Sequence, residues 1–229
     1  MREPTLHLHE EILLLALDDD KGSVPMSASM WQNAAGGAMV SELLLAGRVR
    51  TTDDKKPRLE VVDPTPLGDA VLDAALAEMA GAKKPKKGAE WVQKFGGRSK
   101  LKEQIADGLV AKGVLREEQG KVLWVFNTTH YPERDGRHER EVVRRLERAI
   151  FHDGAAVDPR TLVLVALCQA ASLLPLAFDK HRLKNRKDHL KKLCEGDLAG
   201  GMAKEAVEAA QMAIMVACVM PAIITTTVT

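Results

Sequence analysis

The chain has 229 residues, which is enough for one large domain or two small ones with a substantial core. Its 33 Lys and Arg nearly balance its 32 Asp and Glu, and a net charge of +1 predicts no polyanionic partner for the molecule as a whole. Aromatic residues make up only 3% of the chain, so the core must be aliphatic, which favours helices over a β-sandwich or barrel. The same scarcity argues against binding of single-stranded nucleic acid by stacking.

The cysteines and the apolar segments favour a cytoplasmic protein. The chain has three widely spaced cysteines: Cys168, Cys194 and Cys218. Because they lack the paired spacing of zinc or redox sites, we expect reduced thiols in the core. The charged N-terminus lacks the apolar stretch of a secretory signal. The apolar run at 209–224 contains Gln211 and Pro221 and is shorter than the roughly 20 residues of a membrane-spanning helix.

The first part of the chain predicts helices and one hairpin. Residues 5–17 predict a helix with a threonine cap, ended by an acidic turn. Then follow a helix at 27–46, a hairpin at 48–62 and a helix at 69–79. Gly36 and Gly37, in the middle of the second helix, predict close approach of another helix. Residues 81–88 combine Lys, Pro and Gly without periodicity and predict a mobile loop.

The second part becomes fully helical after Pro132. Two short helices, 89–95 and 99–112, precede a second hairpin with arms 114–115 and 122–126 around a polar turn at 117–120. The remaining predicted helices are 137–151, 159–174, 179–194 and 202–219, followed by a flexible tail at 221–229. The segment from 159 is apolar almost all round, which is typical of a buried central helix. We therefore expect a mostly α fold: a single helical domain over residues 1–229 with one or two small β-hairpins.

No arrangement of reactive residues favours an enzyme. His7, His9 and Glu10 lie close together without the His-Glu-x-x-His spacing of a zinc protease, and we interpret them as exposed polar residues at a helix start. Glycine-rich nucleotide loops and the Gly-x-Ser-x-Gly nucleophile motif do not occur in the sequence. The three aspartates at 18–20 favour a solvated turn over a cation site. We expect no catalytic residue, no cofactor and no metal.

Local charge is more informative than net charge. Residues 83–102 hold eight Lys and Arg against Glu90, and residues 180–192 hold seven against Asp188. Two clusters of one sign favour an anionic partner. No clear helix-turn-helix spacing accompanies them, so a nucleic acid is not expected, and its binding through residues 180–192 is kept only as a third, weaker hypothesis. An anionic membrane would also need an apolar element, which the hairpin residues 124–126 or the region around Met26 and Trp31 could supply.

Six segments occur in an order that carries a resemblance. They are residues 8–17 (LHEEILLLAL), 19–22 (DDKG), 42–49 (ELLLAGRV), 64–76 (PTPLGDAVLDAAL), 109–115 (LVAKGVL) and 128–132 (TTHYP). This series resembles the Golgi phosphoprotein 3 family over nearly the whole chain, and the composition and short loops resemble its bacterial branch. The resemblance implies a mostly α-helical domain with a β-hairpin and no enzymatic activity. Eukaryotic members bind phosphatidylinositol 4-phosphate on Golgi membranes and hold the cytosolic tails of glycosyltransferases.

The family's lipid site carries over only in part. Its tryptophan and first arginine fall on Ser27 and Gly36, and its other two basic positions fall on Ser99 and Lys102, of which only Lys102 keeps a charge. Neighbouring side chains could compensate. The resemblance thus implies a headgroup site made of Ser27, Trp31, Gly36, Arg98, Ser99, Lys100 and Lys102.

Two functions follow as hypotheses. The first is a peripheral membrane adaptor that binds anionic lipid headgroups, with phosphatidylinositol 4-phosphate as the family's lipid. The alternative is a soluble, homo-oligomeric protein-interaction module without lipid binding. In either case the hairpin residues Trp124, Val125 and Phe126 would insert into a membrane or form the oligomer contact.

Overall fold

The computed structural model describes residues 4–18, 21–53, 55–122, 126–154 and 156–195. These residues form helices and two small antiparallel hairpins, which confirms the mostly α fold. The helices are α1 (Leu8–Ala16), α2 (Trp31–Leu45), α3 (Ala70–Ala80), α4 (Gly88–Gly96), α5 (Leu101–Ala111), α6 (Arg137–Phe151), α7 (Pro159–Ala170), α8 (Leu174–Ala177), α9 (Lys180–Asn185) and α10 (Lys187–Glu195), with a 3-10 turn at Met26–Ala28. The strands are β1 (Val49–Thr51), β2 (Leu59–Val61), β3 (Glu118–Val122) and β4 (Phe126–His130).

Helix α1 lies at the centre of the molecule. Every one of its residues is buried, and it packs against α2, α5, α6 and α7. Helix α7 is buried from Thr161 to Cys168, as its apolar sequence predicts. The core is almost entirely aliphatic, with Trp91 and Phe95 of α4 among its largest members. Burial of this aliphatic surface supplies the main driving force for folding.

The helix α2 packs closely on α4, as the two central glycines predict. A Cβ atom at Gly36 would lie 2.4 Å from the carbonyl oxygen of Val92, and one at Gly96 would lie 2.7 Å from the carbonyl oxygen of Gln32. Only residues without a side chain allow this approach. The contact fixes the first turn of α2 beside the last turn of α4.

The first hairpin is confirmed. Strands β1 and β2 pair with Val49 opposite Val61 and Thr51 opposite Leu59. The amide of Leu59 also donates to the carbonyl of Lys86, at 2.7 Å, so the segment predicted as a mobile loop contacts β2. Whether that segment is mobile stays a prediction.

The register predicted for the second hairpin is wrong. Residues 118–120, predicted as its turn, are part of β3, and Gln119 pairs with Thr129. Glu118 and Gln119 are polar and exposed, and Gly120 is partly exposed, so these residues lack the alternation of apolar side chains that marks a strand in a sequence. Trp124 and Val125, predicted to insert or oligomerise, lie outside the described residues, and Phe126 is described only as the first residue of β4.

Four predicted helix boundaries are also wrong. The predicted helix 159–174 ends at Ala170, and α8 begins only at Leu174. Helix α1 begins at Leu8 rather than near Thr5, because the Glu10 carboxylate accepts a hydrogen bond from the His7 amide in a capping box. The predicted helix 27–46 is divided into the 3-10 turn and α2. The predicted helix 179–194 breaks at Arg186, whose guanidinium bonds to the carbonyl of Ile150 and to Asp153. The predicted helix 202–219 and the tail lie outside the described residues.

Candidate functional site

The first turn of α2 and the connection between α4 and α5 lie side by side. Gly96 packs against Gln32 and Asn33, and Arg98 to Lys102 follow directly. The segment that leads from Gly22 into α2 is also held at its first residue. The amide of Tyr131 donates to the carbonyl of Gly22 at 2.9 Å.

Lys102 contacts this same region, because its Nζ lies 5.7 Å from the ring centre of Tyr131. The segment from Gly22 to Gln32 is therefore anchored at both ends beside residues 96–102. Between the anchors, Met26 is 95% exposed and Ser27 is exposed. We call the surface formed by Met26, Ser27, Arg98, Lys100 and Lys102 the basic surface.

The cations of the basic surface differ in their availability. Lys100 is exposed and makes no ion pair with another residue in the described part of the chain. Lys102 is partly exposed and lies 4.0 Å from Glu103. Arg98 is held by Glu78, with its Nη2 2.7 Å from the carboxylate, and it stacks 4.9 Å from the ring centre of Phe95.

Glu78 neutralises part of this positive charge. It also forms an ion pair with Lys94 of α4. Partial burial would raise the pKa of Glu78, but its bonds with Lys94 and Arg98 outweigh that effect and lower the pKa from its ordinary value. Lys100 and Lys102 therefore carry the charge that a ligand would meet first.

The structure brings together most of the residues predicted for the headgroup site. Ser27, Ser99 and Lys100 are exposed, and Arg98 and Lys102 are partly exposed. Trp31 is only 6% exposed and belongs to the core, and Gly36 lies beneath α4. Both therefore support the basic surface from inside, and the exposed apolar side chain at this place is Met26. That these residues bind a headgroup stays a prediction.

A second group of polar residues is buried around α1. Of the three residues predicted to be exposed, His7 is partly exposed, whereas the prediction is wrong for His9 and Glu10. His9 and Glu10 have no exposed surface, and Glu11 is 3% exposed. Glu42 of α2 and Asp69 before α3 are also buried. Their charged partners are distant in the chain, such as Lys112, 102 positions from Glu10, and Arg160, 118 positions from Glu42, so no local spacing reveals them.

Glu42 joins three segments. Its carboxylate accepts from the Leu8 amide at 2.8 Å and from Arg160 at 2.5 Å, and it lies 3.2 Å from the His7 ring. Burial would raise the pKa of Glu42, but these bonds to His7, Arg160 and the Leu8 amide lower it to about 2. The bond to Glu42 in turn raises the pKa of His7 above its ordinary value, although burial opposes this. Glu42 is therefore a structural anion that fixes the start of α1.

Asp69 has a similar role on the other side of α1. Its carboxylate caps α3 by accepting from the amides of Val71 and Leu72, and it lies 3.4 Å from His9 Nε2. Burial would raise the pKa of Asp69, but the nearby His9 ring and the bond from the Leu72 amide lower it far below its ordinary value. Among the described residues, neither ring nitrogen of His9 has a hydrogen-bond partner.

The remaining charges of this group come from Lys112, which follows α5, and from α6 and α7. Lys112 bonds to Glu10 at 2.6 Å, and Arg145 lies 3.0 Å from Glu11. Burial raises the pKa of Glu11 despite its two arginine neighbours. A cavity of about 380 Å³ opens beside this group; its walls include His9, Asp69, Arg98, Gln104, Ile105, Asp107 and Gly108. Arg98 thus lies between the cavity and the basic surface.

Two further observations bear on the class of protein. In the described part of the chain, His, Cys, Asp and Glu side chains form no group that could hold a metal ion. No helix within the described ranges is long and apolar enough to cross a membrane. The fold and the basic surface define a mostly helical domain with several available cations and an exposed methionine on the segment that leads into α2.

Comparison with known proteins identifies the family. The model of the Golgi phosphoprotein 3 (GPP34) family matches residues 8–210. The chain belongs to this family. It is also similar to vacuolar protein sorting-associated protein 74 of Eremothecium gossypii, with 34% identity over 164 residues, or 63% of this chain. The match spans 49% of that relative, about half its length.

Proposed function

We propose that this protein is a non-enzymatic adaptor that associates peripherally with membranes and binds anionic lipid headgroups at its basic surface. Family membership supports a membrane-associated role, and the name of the Eremothecium relative refers to protein sorting. We propose phosphatidylinositol 4-phosphate as the first headgroup to test. Cytosolic protein tails as cargo, a homo-oligomeric state and assignment to the bacterial branch stay predictions.

The observation that carries this proposal is the exposure of Met26 on a segment whose two ends contact Gly96 and Tyr131, the second of which lies against Lys102. A peripheral protein needs two signals for stable attachment, a charge signal and an apolar one. Each lysine near an anionic surface contributes about 1 kcal/mol. Met26 can enter the interface without unfolding, because it is already 95% exposed.

The test is vesicle flotation with three lipid compositions: neutral, anionic with phosphatidylserine, and anionic with phosphatidylinositol 4-phosphate at matched surface charge. We expect binding to both anionic vesicles and loss of binding at high salt, because salt screens exposed charges. Lys100→Glu with Lys102→Glu should weaken partitioning at least about 30-fold, since two lysines together contribute about 2 kcal/mol.

The control reverses two exposed lysines elsewhere, Lys55→Glu with Lys56→Glu in the first hairpin, which changes the net charge equally. This control should bind vesicles nearly as well as the parent protein. Equal flotation with neutral and anionic vesicles would refute lipid binding and favour the alternative, a soluble interaction module. A preference for phosphatidylinositol 4-phosphate at matched charge would support headgroup recognition beyond charge alone.

A further inference from the structure

The cavity beside α1 is lined by polar atoms that no described residue satisfies. Its volume of about 380 Å³ lies within the range of small-molecule sites. His9 lines the cavity and is buried, and neither of its ring nitrogens has a hydrogen-bond partner among the described residues. Glu10 Oε1 is likewise buried without a partner in the described part of the chain, and a Cβ atom at Gly108, in the cavity wall, would lie 3.5 Å from it. Because buried polar groups are nearly always hydrogen-bonded, these atoms indicate a polar occupant.

The carboxylates of the cavity favour a positively charged occupant. Asp69 and Asp107 both line the cavity, and Asp107 is exposed. Asp69 is ionised at neutral pH, because its pKa lies far below its ordinary value. The guanidinium in the lining, that of Arg98, already bonds to Glu78 at 2.7 Å, so it opposes a cation only in part. The cavity therefore has more negative than positive charge to offer a ligand.

The cation that suits this lining is an organic one with N–H groups. Within the described ranges, no group of side chains could hold a metal ion. A neutral His9 ring has one acceptor nitrogen, and a primary ammonium can donate to it and to the carboxylates, whereas a trimethylated ammonium cannot. Ala74 and Ile105 give the cavity apolar walls that suit a short carbon chain. At the side of the basic surface, the Arg98 guanidinium can bond an anionic group at the other end of that chain.

We propose that this cavity binds a small zwitterion, with its primary ammonium beside Asp69 and Asp107 and its anionic group at Arg98. Phosphoethanolamine has this chemistry, either as a free molecule or as the headgroup of a phospholipid. The site does not rest on the proposed function, because it needs neither the lysines nor the methionine of the basic surface.

The test for the free molecule is a nuclear magnetic resonance titration of the isotope-labelled, full-length protein. We expect O-phosphoethanolamine to shift the His9 ring signals saturably, with a dissociation constant of about 1 mM or below. Phosphocholine should bind at least about tenfold more weakly, because its ammonium has no N–H group. Asp107→Asn should weaken phosphoethanolamine binding roughly fivefold by removing one charge, and Ala74→Leu should weaken it by filling the cavity.

The controls are matched substitutions at exposed positions outside the cavity. Asp53→Asn and Ala77→Leu should bind phosphoethanolamine as the parent does. Vesicle flotation then distinguishes the two sources of the ligand, with phosphatidylethanolamine added to phosphatidylcholine in one set and phosphatidylcholine alone in the other. Neither set carries a net charge, so the basic surface contributes little to the comparison.

Binding that requires phosphatidylethanolamine, that Asp107→Asn weakens and that Lys100→Glu with Lys102→Glu leaves unchanged would assign the lipid headgroup. Binding of free phosphoethanolamine alone would assign a soluble ligand, and both results support the proposal. Equal binding of phosphoethanolamine and phosphocholine, or no binding in either experiment, would overturn it and leave water as the occupant. A failure to bind anionic vesicles would contradict the proposed function and not this site.

Discussion

At the scale of single residues, the main feature is the set of charged side chains buried around α1. Glu10, Glu11, Glu42 and Asp69 are each placed beside a cation or a histidine from another element. A buried charge without a partner is costly, so each pair constrains how the elements pack. The segment at 8–11 is therefore an internal polar contact, whereas its sequence alone is typical of an exposed helix start.

Asp69 shows how such a residue can be tested. Asp69→Ala removes the cap of α3 and leaves the buried His9 without its carboxylate, so we expect a loss of about 2–4 kcal/mol in the free energy of unfolding. Asp179→Ala is the matched control, because Asp179 caps α9 from an exposed position. The control should lose about 1 kcal/mol or less. Urea unfolding measures both, and equal losses would mean that the His9 contact contributes nothing.

At the scale of elements, the sequence predicts helices better than it predicts where they meet. Helix α6 has the range that the sequence predicts, because its apolar residues follow the helical period from its first turn to Phe151. The sequence does not separate α9 from α10, because the break at Arg186 comes from its bonds to Ile150 and Asp153, which are distant in the chain. The proximity of α2 to residues 98–102 belongs to the tertiary structure, and only the family resemblance predicts it.

The contact between α2 and α4 gives a prediction at this scale. Gly36→Ala would raise helix propensity, yet its Cβ would lie 2.4 Å from the Val92 carbonyl oxygen, so we expect a net loss of about 1–3 kcal/mol. The control is Gly108→Ala in α5, where the nearest atom to a Cβ is 3.5 Å away. That variant should be neutral or gain up to about 1 kcal/mol. Denaturant unfolding of both variants decides, and a stabilised Gly36→Ala protein would show that α4 can move away at little cost.

At the scale of the whole molecule, the net charge of +1 conceals an uneven distribution. Several carboxylates are buried around α1, where they bind internal cations. Among the described residues, the cations of the basic surface form ion pairs with Glu78, through Arg98, and with Glu103, through Lys102. The expectation drawn from total charge, that no polyanion binds, applies to long-range attraction and not to this local surface.

The same buried carboxylates make the stability of the molecule depend on pH. The pKa of Glu42 is about 2 in the folded protein, below its ordinary value, so its stabilising contribution is complete above the ordinary value. That contribution is lost as the pH falls through about 2. The lowered pKa of Asp69 acts in the same direction. The raised pKa of Glu11 opposes them, because burial favours its protonated form. The free energy of unfolding should therefore decrease as the pH is lowered from about 4.5. Loss of the Glu42 contribution accounts for on the order of 3 kcal/mol of this decrease.

Glu42→Gln separates this effect from general acid denaturation. The substitution leaves Arg160 and His7 without their anion, so the protein should be less stable at neutral pH. It should also lose less stability than the parent between pH 4.5 and 2.5, because the group that titrates there is gone. At higher pH the parent should lose a little stability as the pH rises through the raised pKa of His7, and the variant should lack this loss as well. If the unfolding free energies of the two proteins changed with pH in parallel across the whole range, Glu42 would not be the cause of the pH dependence.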